Sequence, residues 1–107
     1  MNEPSTEEII RRQLAENPVI LYMKGTPEIP ECGFSGTAVA ALKQTGKPFA
    51  FVNILRAPQI RARLPSVSQW PTFPQLFIKG ELVGGSDIIA AMLEDGSLLT
   101  MLDDAVN

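Results

Sequence analysis

The chain reads as an α/β sandwich in which a parallel strand pair is joined to an antiparallel hairpin. Three observations predict it. A strand, a helix and a second strand succeed one another between Val19 and Asn53, the spacing of a βαβ unit, whose strands run parallel. Gln75–Ile78 and Glu81–Gly84 flank the dipeptide Lys79-Gly80, which reads as a two-residue hairpin turn. Helical patterns fill the remaining sequence, so the element order is αβαβαββαα, a sheet covered by helices.

Each element has its own signal. Ser5-Thr6-Glu7-Glu8 resembles a capping box, with Ser at the cap and Glu three residues on. Ile9, Ile10 and Leu14 give the following helix an apolar face, and Asn17-Pro18 stops it. Val19–Met23 is a short apolar run with the length of a buried strand. Lys24 to Glu31 holds a glycine and two prolines and must be a loop. After Cys32 a helix places Ala38, Ala41, Leu42 and Thr45 on one face, with Gly46 suited to its C-terminal cap. Phe49–Asn53 is the second strand. Pro58 opens a short helix carrying Ile60 and Leu64, which Pro65 is expected to end. The closely spaced Pro71 and Pro74 make the stretch before the hairpin irregular. Gly85-Ser86-Asp87 then starts a helix through Ile88, Ile89, Met92 and Leu93; Gly96-Ser97 breaks it, and Leu98 to Val106 forms the last helix.

Composition narrows the function classes. The 107 residues, 45% apolar, suit a single domain, 1–107, with one core. No apolar run is long enough to span a bilayer. The acidic, polar N-terminus lacks a secretory h-region, and one cysteine argues against a disulfide-stapled secreted fold. A cytoplasmic protein is expected. With no histidine, the net charge of −3 is firm near neutrality; it disfavours nucleic-acid binding and removes imidazole as base or metal ligand.

Cys32 is the centre of interest. A lone cysteine is ordinarily a small buried hydrophobe, but Cys32 lies outside any apolar run, between a Pro/Gly loop and the first turn of a helix. A helix N-terminus favours thiolate over thiol, Lys24 can supply a cationic neighbour, and Gly33 permits close approach to the backbone. Ser35 stands where a Cys-x-x-Cys protein has its second cysteine; as a helix-start serine it should bond locally to the backbone. Any disulfide formed at Cys32 must therefore be resolved by a thiol from outside the chain.

Lys24-Gly25-Thr26-Pro27, Cys32-Gly33-Phe34-Ser35, Trp70-Pro71-Thr72-Phe73-Pro74-Gln75 and Gly84-Gly85-Ser86-Asp87 together resemble the signature segments of monothiol (CGFS-type) glutaredoxins of the bacterial single-domain kind, in the family's order and from about Ser5 to Leu102. The resemblance implies a thioredoxin-like fold with a four-stranded mixed sheet flanked by helices. It implies glutathione lying across Cys32, the Pro74 loop and the start of the Ser86 helix. It further implies a [2Fe-2S] cluster shared by two protomers in a homodimer, each giving its Cys32 and one glutathione. The role implied is iron–sulfur cluster transfer and iron homeostasis, with BolA-type proteins and apo iron–sulfur proteins as partners. Ligand counting agrees: such a cluster takes four thiolates, and two chains with two glutathione molecules supply them.

The same resemblance makes Pro74 a cis-proline, whose geometry would free the Phe73 backbone to pair with glutathione's cysteine like a neighbouring strand. Gly84 to Asp87 reads on its own as strand end, turn and cap, but a helix start also suits a carboxylate and Asp87 suits an ammonium. Ser86 and Asp87 are thus candidates for the γ-glutamyl end. The family often carries cysteine where this chain has Ser86, a loss that backbone binding should survive. Lys24 and Arg61 match positions that hold glutathione's glycine carboxylate. Arg11, Arg12, Arg56, Arg63, Lys43, Lys47 and Lys79 read as surface charges. Two functions compete: a cluster carrier, and a glutathione-dependent oxidoreductase that removes glutathione from mixed disulfides with Cys32 as nucleophile. The loop with Pro27 and Pro30, extended in this family relative to dithiol members, favours the carrier.

Overall fold

The computed structural model describes residues 3–106. Helix α1 (Thr6–Glu16) starts at Ser5, whose hydroxyl accepts the Glu8 N–H at 3.1 Å. Strand β1 (Val19–Met23) is buried along its whole length. Helix α2 (Gly33–Gln44) has Cys32 as its N-cap, and Gly46 follows its C-cap with φ 72°, the left-handed close of many helices. Strand β2 (Ala50–Asn53) begins one residue after the position read from the sequence. Helix α3 is Pro58–Ser68; strands β3 (Gln75–Ile78) and β4 (Glu81–Gly84) form the hairpin. Helices α4 (Ser86–Asp95) and α5 (Ser97–Val106) finish the described chain. At the hairpin turn Lys79 and Gly80 both have positive φ, 51° and 79°, the combination that matches the twist of the flanking strands.

One boundary departs from the sequence reading by more than a residue. Pro65 lies inside α3 and does not end it. Proline removes its own N–H and crowds the Arg61 carbonyl, but its own carbonyl still accepts from the Trp70 N–H at 3.3 Å. The Ser66 and Ser68 hydroxyls donate back to the Arg63 and Leu64 carbonyls at 2.8 and 3.0 Å. The stop falls at Gln69, which takes a left-handed conformation with φ 58°.

The strands form one sheet in the order β2-β1-β3-β4. The β1–β2 pair is parallel, and β1–β3 and β3–β4 are antiparallel. This is the thioredoxin-like fold. Because side chains alternate across a strand, β1 feeds two cores. Val19, Leu21 and Met23 pack with Ala38, Leu42, Ile89, Leu98 and Leu102 of α2, α4 and α5. Ile20 and Tyr22 pack with Ile10, Ile60, Leu64 and Phe77 against α1 and α3. Because β1 and β3 are antiparallel, the last residue of β1, Met23, and the first of β3, Gln75, lie at the same edge of the sheet, beside the start of α2. No helix among the described residues is long and apolar enough to cross a membrane.

Candidate functional site

Between the ends of those central strands and the N-termini of α2 and α4 lies an open groove of about 690 Å³. Its walls bring together Lys24, Cys32, Arg61, Phe73, Pro74, Ser86 and Asp87, all singled out by the sequence analysis. Phe34, Pro65, Trp70, Pro71, Thr72, Gly85 and Ile88 complete the lining. Cys32 is half-buried, Lys24 and Phe73 likewise, while Arg61 and Asp87 are exposed. Ser86 is 8% exposed and lines the groove at the first turn of α4. The Phe73–Pro74 peptide bond is cis. Among the described residues the Phe73 N–H and C=O have no backbone partner.

The Cys32 thiol is held below its ordinary pKa. The Ser35 backbone N–H is the main cause; desolvation, next in size, works the other way, and the Phe34 N–H, the Lys24 charge and the Ser35 hydroxyl follow in lowering it. These are the free N–H groups of a helix first turn gathered on sulfur. The site can thus hold a thiolate, either as nucleophile or as metal ligand. Among the described residues no group of three or more His, Cys, Asp or Glu is arranged to hold a metal ion, so a metal at Cys32 needs donors from outside the chain.

Three side chains support the site through bonds that the sequence did not reveal. Ser35 is fully buried and, beyond its local bonds, its Oγ accepts the Lys24 N–H at 3.0 Å across eleven residues. The locally bonding serine read from the sequence thus also bonds across the fold: the start of α2 packs against the end of β1, and this hydroxyl is what the β1 end meets. From the other side Asn53 Oδ1 accepts the Gly25 N–H at 2.9 Å and the Leu55 N–H at 3.1 Å. The loop beyond is closed by Thr26 and Ile29, which exchange backbone bonds of 3.2 and 3.1 Å, and by Glu31 N–H to the Lys24 carbonyl at 2.9 Å. Lys43, read as a plain surface charge, donates to the Pro27 carbonyl at 3.2 Å. The third is Gln75, whose amide bonds the Trp70 and Thr72 carbonyls. Trp70 lines the groove, and Gly85 is pressed against it: a Cβ there would lie 3.3 Å from the indole Nε1 and 3.4 Å from the Pro74 oxygen. Phe77 is core, edge-on to Tyr22 with ring centroids 5.6 Å apart.

Comparison with known proteins agrees with this arrangement. The glutaredoxin family model matches residues 19–83. Glutaredoxin 4 of Escherichia coli K12 is 54% identical over 100 residues, covering 94% of this chain and 87% of that protein. The solution structure of reduced poplar apo GrxS14 superposes with a TM-score of 0.79 at 41% identity, covering 92% of this chain and 91% of the other. A buckwheat glutaredoxin–glutathione complex matches at TM-score 0.79, covering 98% and 96%, but at 22% identity it shares the fold alone. The chain belongs to the glutaredoxin family.

Proposed function

We propose that this chain is a monothiol glutaredoxin, one domain acting in the cytoplasm, that binds glutathione in the groove. Two copies then share a [2Fe-2S] cluster as cargo for iron–sulfur assembly and iron homeostasis. The observation that carries the reading is a solitary thiolate-biased cysteine at the mouth of a groove with charges suited to both ends of glutathione. Lys24 and Arg61 face the glycine carboxylate. The start of α4, with Ser86 and Asp87, receives the γ-glutamyl carboxylate and ammonium. Phe73 pairs through its backbone with the central cysteine, beside Pro74. The buckwheat protein, solved with glutathione on the same fold, supports the choice of ligand.

Donor chemistry supports the cargo. One chain has one cysteine, while a [2Fe-2S] cluster takes about four thiolates; Cys32 from each of two copies and two glutathione thiolates make the set. Half of those ligands are exchangeable small molecules, which suits release to BolA-type partners and apo iron–sulfur proteins. Reconstitution tests this directly. Anaerobic iron, sulfide and glutathione should give a brown dimer, whereas omission of glutathione, or Cys32→Ser, should leave a colourless protein.

The lowered thiol pKa favours a second reading, deglutathionylation. Cys32 thiolate attacks the glutathione sulfur of a mixed disulfide and expels the substrate thiolate; a second glutathione thiolate then releases oxidised glutathione. Rapid turnover of a glutathione mixed disulfide by cluster-free protein, with no colour on reconstitution, would select this reading over the carrier.

A further inference from the structure

We infer that Gln75 is a positioning residue that holds the wall of the groove formed by residues 70–74 in the shape that glutathione meets. This deepens the proposed glutathione site and rests on it. Gln75 is the first residue of β3, paired with Tyr22 of β1, and its side chain is fully buried. A buried amide without partners is unfavourable, and packing alone would be served by an apolar residue. Its Nε2 donates to the Trp70 carbonyl at 2.9 Å and to the Thr72 carbonyl at 3.1 Å. Those two bonds use both protons of the amide and fix its orientation, because both partners are carbonyls; among the described residues Oε1 has no partner.

The wall needs such a tie because its own backbone offers little. Pro71 and Pro74 have no N–H. Among the described residues the one backbone–backbone hydrogen bond made by residues 70–73 runs from the Trp70 N–H to the Pro65 carbonyl. The loop is therefore fastened from below, by a side chain on a central strand. Rigid elements hold a site more closely than loops do, and Gln75 transfers the rigidity of β3 to the segment that carries Phe73.

Two measurements test this. In unmutated protein the Gln75 side-chain amide protons should exchange with water at least about tenfold more slowly than those of the exposed Gln44 and Gln59; equal rates overturn the inference without recourse to any variant. Gln75→Met, close in length and without donors, should speed exchange of the Trp70 amide, which bonds the Pro65 carbonyl, about tenfold while leaving Leu21 unchanged. It should also weaken glutathione binding about tenfold, followed by calorimetry and by emission of Trp70, the chain's one tryptophan. Leu102→Val, in the core on the opposite face of the sheet, serves as a control that lowers stability without weakening binding. Glutathione affinity within about twofold of wild type in Gln75→Met overturns the positioning role even if loop exchange rises, because the tie would then be structural only. If wild-type protein fails to bind glutathione by both methods, the ligand assignment falls, while the exchange rates still decide whether Gln75 holds the loop.

Discussion

Backbone N–H groups, not a neighbouring base, make the Cys32 sulfur acidic. The chain has no histidine, and the Ser35 N–H outweighs the Lys24 charge among the causes that lower the thiol pKa. The sign of the pH dependence follows. Thiolate is the reactive form, and its fraction climbs through a folded-state pKa that lies below the unfolded one. Alkylation by iodoacetamide should therefore rise with pH around a midpoint lower than that of the same chain unfolded in urea. Lys24→Gln should raise that midpoint only slightly, since Lys24 is a lesser contributor. A folded midpoint equal to or above the unfolded one would refute the account. By linkage, the thiolate adds stability above the unfolded pKa that is lost as pH falls through the folded pKa. Cys32 was legible in the sequence because loop, glycine and helix start are all local. Ser35, Asn53 and Gln75 were not, because each partner lies on a different element or across a turn whose path no local rule supplies.

Among the elements, the loop of residues 24–31 shows how a short segment becomes a fixed part of a groove. Gly25 has φ +94°, and a Cβ there would lie 2.5 Å from the Ile29 oxygen and 2.6 Å from the Glu31 nitrogen. Those are backbone atoms and cannot swing away. Gly46 has a similar positive φ of +72°, but a Cβ there would meet nothing within 4 Å. Gly46→Ala should thus cost about 1 kcal/mol from the left-handed conformation alone. Gly25→Ala should cost roughly 2 kcal/mol or more, adding collision to strain, as read by urea denaturation, and should weaken glutathione binding by displacing Lys24. Equal losses at the two glycines would show that the loop yields freely. Another element, α3, illustrates the converse. Proline proved a poor stop signal there: the helix runs on past Pro65 to Ser68, and the stop falls at the left-handed Gln69.

For the molecule as a whole, stability rests on one strand serving two cores. Tyr22 is fully buried on the α1/α3 side, where its hydroxyl donates to Gln13 Oε1 at 2.9 Å, and burial pushes the phenol well above its ordinary pKa. Tyr22→Phe should keep the ring packing against Phe77 and lose about 1 kcal/mol, measured by thermal denaturation. An unchanged melting temperature would mean that the Gln13 bond contributes nothing net. Across the fold, ion pairs such as Arg63–Glu7 at 3.5 Å sit at the surface and contribute little beside this packing. Lys47, read from sequence as a surface charge, is partly covered where it meets Asp103 at 2.6 Å.

The amino-acid sequence by itself determined the order of elements, the parallel β1–β2 pair, the hairpin turn and the identity of the lone thiol. All of these follow from apolar periodicity, turn chemistry and composition, which act over a few residues. Local signals left open where β3 pairs; the folded structure inserts it beside β1 and so brings the Pro74 loop, which only the family resemblance had set against Cys32, into the same groove. It also decided which buried polar groups hold that loop. Hydrogen bonds between distant segments are chosen by where the packed helices and strands leave an unpaired carbonyl, and no periodicity along the chain records that choice.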